Sequence, residues 1–132
     1  MTFTNQIKNS RGQDIAQDYL DFLDRHISDV VSGKVPDFLE LNQIANELSV
    51  SHGHLSDTIR KEKGHHPCYF YDLKIVNKTK VLLTGTSLSV AEIAKKFTYD
   101  PSNFGKFFKK WTGETPGNFR KMNQLPKTSP YF

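Results

Sequence analysis

Residues 44–67 read IANELSVSHGHLSDTIRKEKGHHP, and residues 93–116 read IAKKFTYDPSNFGKFFKKWTGETP. Offset by 49 residues, the two stretches align without a gap: Ile44, Ala45, Leu48, Val50, Leu55, Ile59, Lys61, Gly64 and Pro67 fall opposite Ile93, Ala94, Phe97, Tyr99, Phe104, Phe108, Lys110, Gly113 and Pro116. Each copy reads as a short helix holding a small alanine, a break opened by Ser51 or Asp100, and a second helix closed by a glycine. That is a helix-turn-helix pattern. An alanine at the crossing lets two helix backbones approach, and the apolar positions on both sides of the turn clamp the second helix across the first. The other face of the second helix is left uncovered, and such a face can enter a major groove.

Working outward from the repeat, Ile15, Tyr19, Phe22, Leu23, Ile27, Val30 and Val31 recur at helical spacing while Asp14, Asp18, Asp21 and Asp24 fall on other faces. This predicts an amphipathic leading helix over 14–32, ending near Gly33 and closed off by Pro36. Further helices are predicted over 41–48, 52–63, 68–84, 90–97, 101–112 and 116–122, and no stretch alternates with period two. The expected fold class is all-α, two helix-turn-helix subdomains joined by a long linker helix. Helix starts are marked by Ser51, by Ser89 with Glu92 in a capping box, and by Asp100 followed by Pro101 at the first helical position. The expected organisation is a flexible N-terminal tail (1–13), a leading helix with the first helix-turn-helix unit (14–67), the linker helix (68–84), the second unit (85–122) and a C-terminal tail (123–132). Phe104, Phe107, Phe108 and Trp111, at i, i+3, i+4 and i+7, read as one buried stripe rather than as a platform for stacked bases.

At 132 residues and 15.1 kDa the chain is one domain, or two small subdomains, with no room for a separate sensor or catalytic domain. Ten Phe, five Tyr and one Trp supply enough apolar area for a core. The one cysteine, Cys68, cannot form an internal disulfide, which excludes stapled secreted scaffolds and points to a reducing compartment. The longest apolar run is the four residues Cys68–Tyr71, so no membrane span or signal peptide is expected, and the reading is a cytoplasmic protein. The net charge of +4 hides a division: residues 1–66 carry seven Lys/Arg against ten Asp/Glu, a net of −3, and residues 67–132 carry eleven against four, a net of +7. A basic half on a soluble chain is the footprint of a polyanion binder, although many basic faces are simply solvated.

From Leu41 to Lys121 the sequence resembles the DNA-binding domain of the AraC/XylS family of bacterial transcription regulators, and helix 14–32 matches the family's leading helix. The resemblance rests on Leu41–Ala45, Val50–Ser56, Leu88–Ala94, Phe104–Lys110 and, most specifically, Thr112–Pro116 followed by Phe119 and Arg120. It implies two helix-turn-helix units whose recognition helices enter successive major grooves of double-stranded DNA, joined by helix 68–84, about 25 Å long at 1.5 Å per residue. It also implies contact with RNA polymerase. The sequence departs from the family at four places. Ser49 and Thr98 stand where the turn commonly holds Gly, and the turn Thr98–Pro101 is one residue shorter than usual, which bears on the orientation of the second recognition helix. Lys74 replaces a customary Arg, and Asp57 stands where a basic or long polar side chain is common.

Projecting the second helix of each copy gives His52, Gly53, Ser56, Asp57 and Arg60, and Pro101, Ser102, Asn103 and Lys106, as candidates for base contact. Asn103 suits adenine, Lys106 suits guanine O6/N7, and Asp57 suits a cytosine amine, unless Asp57 is paired within its helix with Arg60 or Lys61. Candidates for phosphate contact are Ser51, Lys74, Lys78, Ser89, Asp100, Lys109 and Lys110, from side chains or helix amino termini. The expected state is a monomer of this chain, with dimerisation only through a further domain, no membrane partner and no cofactor. Two other classes stand beside this reading. Two helical repeats suit a protein-interaction module, but solenoids generally need three or more repeats with caps. His52, His54, His65, His66 and Cys68 suggest a metal site, but adjacent His65 and His66 do not readily both ligate and the spacing matches no strong motif. No nucleophile with its base, paired carboxylate or phosphate-binding glycine loop is evident, so no catalytic activity is expected.

Overall fold

A computed structural model describes residues 10–123, which form helices α1 (Arg11–Val31), α2 (Leu41–Glu47), α3 (His52–Lys63), α4 (Pro67–Gly85), α5 (Val90–Lys96), α6 (Pro101–Thr112) and α7 (Pro116–Asn123). The described residues hold no strand. Most of the two expected tails, residues 1–9 and 124–132, lies outside the described residues. The leading helix starts earlier than its apolar periodicity predicts, at Arg11. The reason is a capping box: the Ser10 amide donates to Gln13 Oε1 at 2.8 Å and the Gln13 amide donates to Ser10 Oγ at 3.1 Å.

Packing divides the chain into two compact units, cutting through α1 and α4. The first takes the described residues to Ser28 together with Phe38–Asp72. Its core is Ile15, Ala16, Tyr19, Leu23 and Ile27 of α1, Ile44 and Ala45 of α2, and Leu55 and Ile59 of α3. Two polar groups inside it are satisfied by backbone partners. The Tyr19 hydroxyl donates to the Pro67 carbonyl at 2.8 Å, and His26 Nε2 accepts the Leu39 amide at 2.9 Å. The His26 ring stacks on Phe22, and Phe38 and Tyr71 meet it edge-on. The Tyr71 hydroxyl closes the same loop by donating to the Leu39 carbonyl at 2.8 Å.

The second unit takes Asp29–Asp37 and the described residues from Leu73 onward. Its core holds Val30, Ile75, Val76, Leu83, Ile93, Ala94, Phe97, Phe104 and Phe108. Thr79 is buried by returning its hydroxyl to the Ile75 carbonyl at 2.9 Å. Phe97 stacks on Phe104, and Phe119 of α7 meets Phe108 edge-on. Arg120 ties α7 to the end of α4, donating through Nε to the Leu83 carbonyl at 2.8 Å and through Nη2 to the Thr86 carbonyl at 3.3 Å. A guanidinium there satisfies carbonyls that a helix end leaves without intrahelical partners. The stripe expected on α6 is narrower than its spacing suggests. Phe104 and Phe108 are fully buried, while Phe107 and Trp111 are half-buried at its margin, Phe107 packing against Tyr99.

Candidate nucleic-acid interface

Each unit builds its second helix in the same frame. In the first turn the Ser49 amide donates to Asn46 O and the Val50 amide to Ala45 O, both at 3.0 Å. In the second, the Thr98 amide donates to Lys95 O at 2.9 Å and the Tyr99 amide to Ala94 O at 3.0 Å. Ser49 and Thr98 both adopt left-handed backbone, φ 62° and 58°, so the two side chains occupy the conformation that a glycine would take there. Within this chain the second turn is therefore no shorter than the first, and α6 leaves it at the register at which α3 leaves its own. Both helices run twelve residues and end on a left-handed glycine, Gly64 or Gly113. Ser51 Oγ accepts the His54 amide at 3.0 Å, and Asp100 Oδ2 accepts the amides of Ser102 and Asn103 at 3.1 and 3.3 Å.

With Leu55, Thr58 and Ile59 turned into the core, α3 exposes His52, Gly53, His54, Asp57 and Arg60, and leaves Ser56 half-buried. With Phe104 and Phe108 turned inward, α6 exposes Pro101, Ser102, Asn103, Lys106, Lys109 and Lys110. The candidates on each helix are thus gathered on one exposed side, Ser56 at its edge. His54 belongs with them, although the sequence projection passed over it; its signal was in the repeat, where it stands opposite Asn103. Charge distinguishes the two faces. On α6, residues 101–112 hold the exposed lysines 106, 109 and 110 and no acidic residue, whereas on α3 Asp57 and Glu62 stand among Arg60, Lys61 and Lys63.

The phosphate candidates divide by what already occupies them. The amino terminus of α5 is closed by its own capping box: Glu92 Oε1 accepts the Ser89 amide at 2.8 Å and Ser89 Oγ accepts the Glu92 amide at 3.0 Å. The bonds from the Ser89 amide and hydroxyl hold the Glu92 carboxyl below the ordinary carboxylate range. A carboxylate therefore sits at the amino termini of both α5 and α6 and opposes a phosphate there, while Ser51 brings no charge to α3. Lys74 and Lys78 on α4 are half-buried. Among the described residues no three His, Cys, Asp or Glu side chains are grouped to hold a metal ion. His65 stacks on Tyr69 with ring centroids 3.9 Å apart, and His66 Nδ1 accepts the Cys68 amide at 3.0 Å. Partial burial, with Asp72 nearby, pushes the Cys68 thiol up. Among the described residues, no helix is long and apolar enough to cross a membrane.

A family model described as a helix-turn-helix domain matches residues 44–122, the span of both units' turns and second helices. The chain is 30% identical over 106 residues to the HTH-type transcriptional regulator YfiF of Bacillus subtilis (strain 168), which covers 80% of this chain and 32% of that protein. The chain thus spans about a third of that relative's length. Its backbone is similar to the C-terminal domain of AraT, a response regulator from Geobacillus stearothermophilus, with a TM-score of 0.78 and 27% identity over 93% of this chain and 97% of that one. It shares its fold with a transcriptional regulator of the AraC-type DNA-binding-domain proteins from Chromobacterium violaceum, at a TM-score of 0.64 and 21% identity over 83% and 96% of the two chains. The matched span holds two ungapped copies of one helix-turn-helix, with the same left-handed turn and the same glycine stop, and this chain belongs to the AraC/XylS family of helix-turn-helix domains.

Proposed function

We propose that this chain binds double-stranded DNA sequence-specifically as the DNA-binding part of a transcription regulator, with α3 and α6 as recognition helices in successive major grooves. The observation that carries the reading is the exposed side of α6. Asn103 and Lys106 stand near its amino-terminal end, where recognition helices touch base edges, and Lys109 and Lys110 follow at the rear, within reach of the backbone. On α3 the base-reading set is His52, Gly53, Asp57 and Arg60, with Ser56 at its edge, and the Ser51-capped amino terminus offers amide groups to a phosphate. Lys74 and Lys78 add positive charge on the connecting helix. We read 14–67 and 85–122 as the two DNA-contacting units, 68–84 as their connector, and the chain as a cytoplasmic, non-catalytic monomer that works with RNA polymerase.

Selection of bound fragments from a random DNA pool tests this. The units are related by direct repetition, not by a dyad, so one chain should protect an asymmetric site of about two helical turns. Strictly palindromic selected sites, or binding that ignores salt, would contradict it.

A further inference from the structure

We infer that His54 is a base-reading residue of the first unit, the counterpart of Asn103 in the second, and that it contacts a purine edge in the DNA half-site of α3. This rests on the DNA-binding reading above and assigns within it a contact that neither composition nor charge indicates. The first support is the identity of the two frames. The residue after each, Leu55 or Phe104, is fully buried, and its amide closes the first helical bond to the capping residue, at 2.9 Å to Ser51 O or 2.8 Å to Asp100 O. The amides of His54 and Asn103 are themselves both held by the capping side chain. Two helices capped at the same register and both buried at Leu55 and Ile59, or at their counterparts Phe104 and Phe108, direct equivalent positions to the same side.

The second support is the neighbour. Gly53 is the second residue of α3, where glycine is a poor helix former. A Cβ built on it meets nothing within 4 Å, so packing in the folded chain does not require its absence. A bare position beside an exposed imidazole on the recognition helix lets an approaching base edge reach His54 without displacing another side chain. An imidazole N–H donates to guanine N7 or O6 in the major groove, where the Asn103 amide favours adenine. Because the cap is made by the backbone amide, changing the His54 side chain leaves the helix start intact.

The repeat supplies the test. The wild-type chain and the variants His54→Asn and His54→Ala are each put through selection from a random pool, with far-UV circular dichroism and thermal unfolding as controls on folding. His54→Asn should move the preference at one or two adjacent base pairs of one half-site from guanine towards adenine, and His54→Ala should flatten it there, by roughly tenfold or more for a good base contact. The other half-site should keep its preference in both variants. If the wild type selects a site and both folded variants select the same one with the same weights, the assignment of His54 is overturned while the DNA-binding reading stands. If either variant unfolds, His54→Gln replaces it under the same criterion. A wild type that selects no sequence overturns both.

Discussion

Ser49 and Thr98, forty-nine residues apart, share one left-handed backbone conformation, φ 62° and 58°, at the same point of the two turns. A Cβ in that region costs on the order of 1–2 kcal/mol, and the β-branched Thr98 has the worse fit. Replacement by glycine relieves this strain but frees the unfolded chain, a partial offset of about 0.4–1 kcal/mol. Ser49→Gly and Thr98→Gly should therefore each raise stability by some tenths to about 1 kcal/mol, Thr98→Gly by more. Urea unfolding of the single and double variants checks both the sign and the order. A loss of stability at either site would show that the side chain makes a compensating contact.

Arg120 closes the end of α4 with two bonds to carbonyls, at Leu83 and Thr86. Hydrogen bonds from a charged donor contribute about 1.5–3 kcal/mol, so Arg120→Ala should cost about that much. Arg120→Lys should recover only part of the loss, because an ammonium cannot reproduce the two-pronged geometry. Hydrogen exchange should show faster opening at the end of α4 and in α7, with the first unit little changed. Uniform loss of protection across both units would place the role of Arg120 elsewhere.

Tyr19 has no exposed surface, and burial, followed by the neighbouring Cys68, Tyr71 and Asp72, pushes its phenol well above the ordinary value. An acid whose folded pKa is raised is favoured in its neutral form by folding. Its contribution is fully present below the unfolded value near 10 and is lost as pH climbs above that value. Stability measured across pH 8–11.5 should fall at the alkaline end. Tyr19→Phe should unfold more easily at neutral pH by about 1 kcal/mol, from the lost bond to Pro67, and should lose part of the alkaline dependence. An alkaline limb identical in the variant would assign that dependence to the other tyrosines.

On α6, front and rear should separate in binding assays. Asn103→Ala and Lys106→Ala should each cost about 1–3 kcal/mol on the selected site and much less on random DNA, narrowing the specificity ratio. Lys110→Ala should weaken both kinds of DNA alike and make the salt slope shallower by about one unit. Equal weakening of all sequences by all three variants, with folding intact, would mean that α6 touches only the backbone.

On α3, Asp57 stands opposite Lys106 in the repeat, a carboxylate in place of an ammonium, while Arg60 and Lys61 stand opposite Lys109 and Lys110. Asp57→Asn should tighten non-specific binding by removing repulsion from phosphates, while relaxing the preference at any cytosine that Asp57 reads. Titrations on selected and random DNA at two salt concentrations distinguish the effects. Unchanged affinity on both would indicate that the carboxylate is neutralised within its own helix.

The sequence by itself determined whatever is settled within a turn or two of helix. The apolar spacing, Ser51, the Ser89 and Glu92 box, Asp100 before Pro101, and the closing glycines act between residues three or four apart, so the all-helical order and both helix-turn-helix copies were legible in advance. The capping box of Ser10 and Gln13 was equally local, but it lies ahead of the first apolar residue and so outside the periodic signal. Tertiary structure alone decided what joins distant positions: the Tyr19 hydroxyl on the Pro67 carbonyl, His26 on the Leu39 amide, Arg120 on the end of α4, and the division of the chain through α1 and α4. It also decided that Phe107 and Trp111 stay half-exposed, and that His54 rather than Ser56 stands fully out on α3. The spacing of residues says which side chains share a helix face. How far that face is covered depends on a neighbour brought in from elsewhere in the chain, and no local pattern encodes that distance.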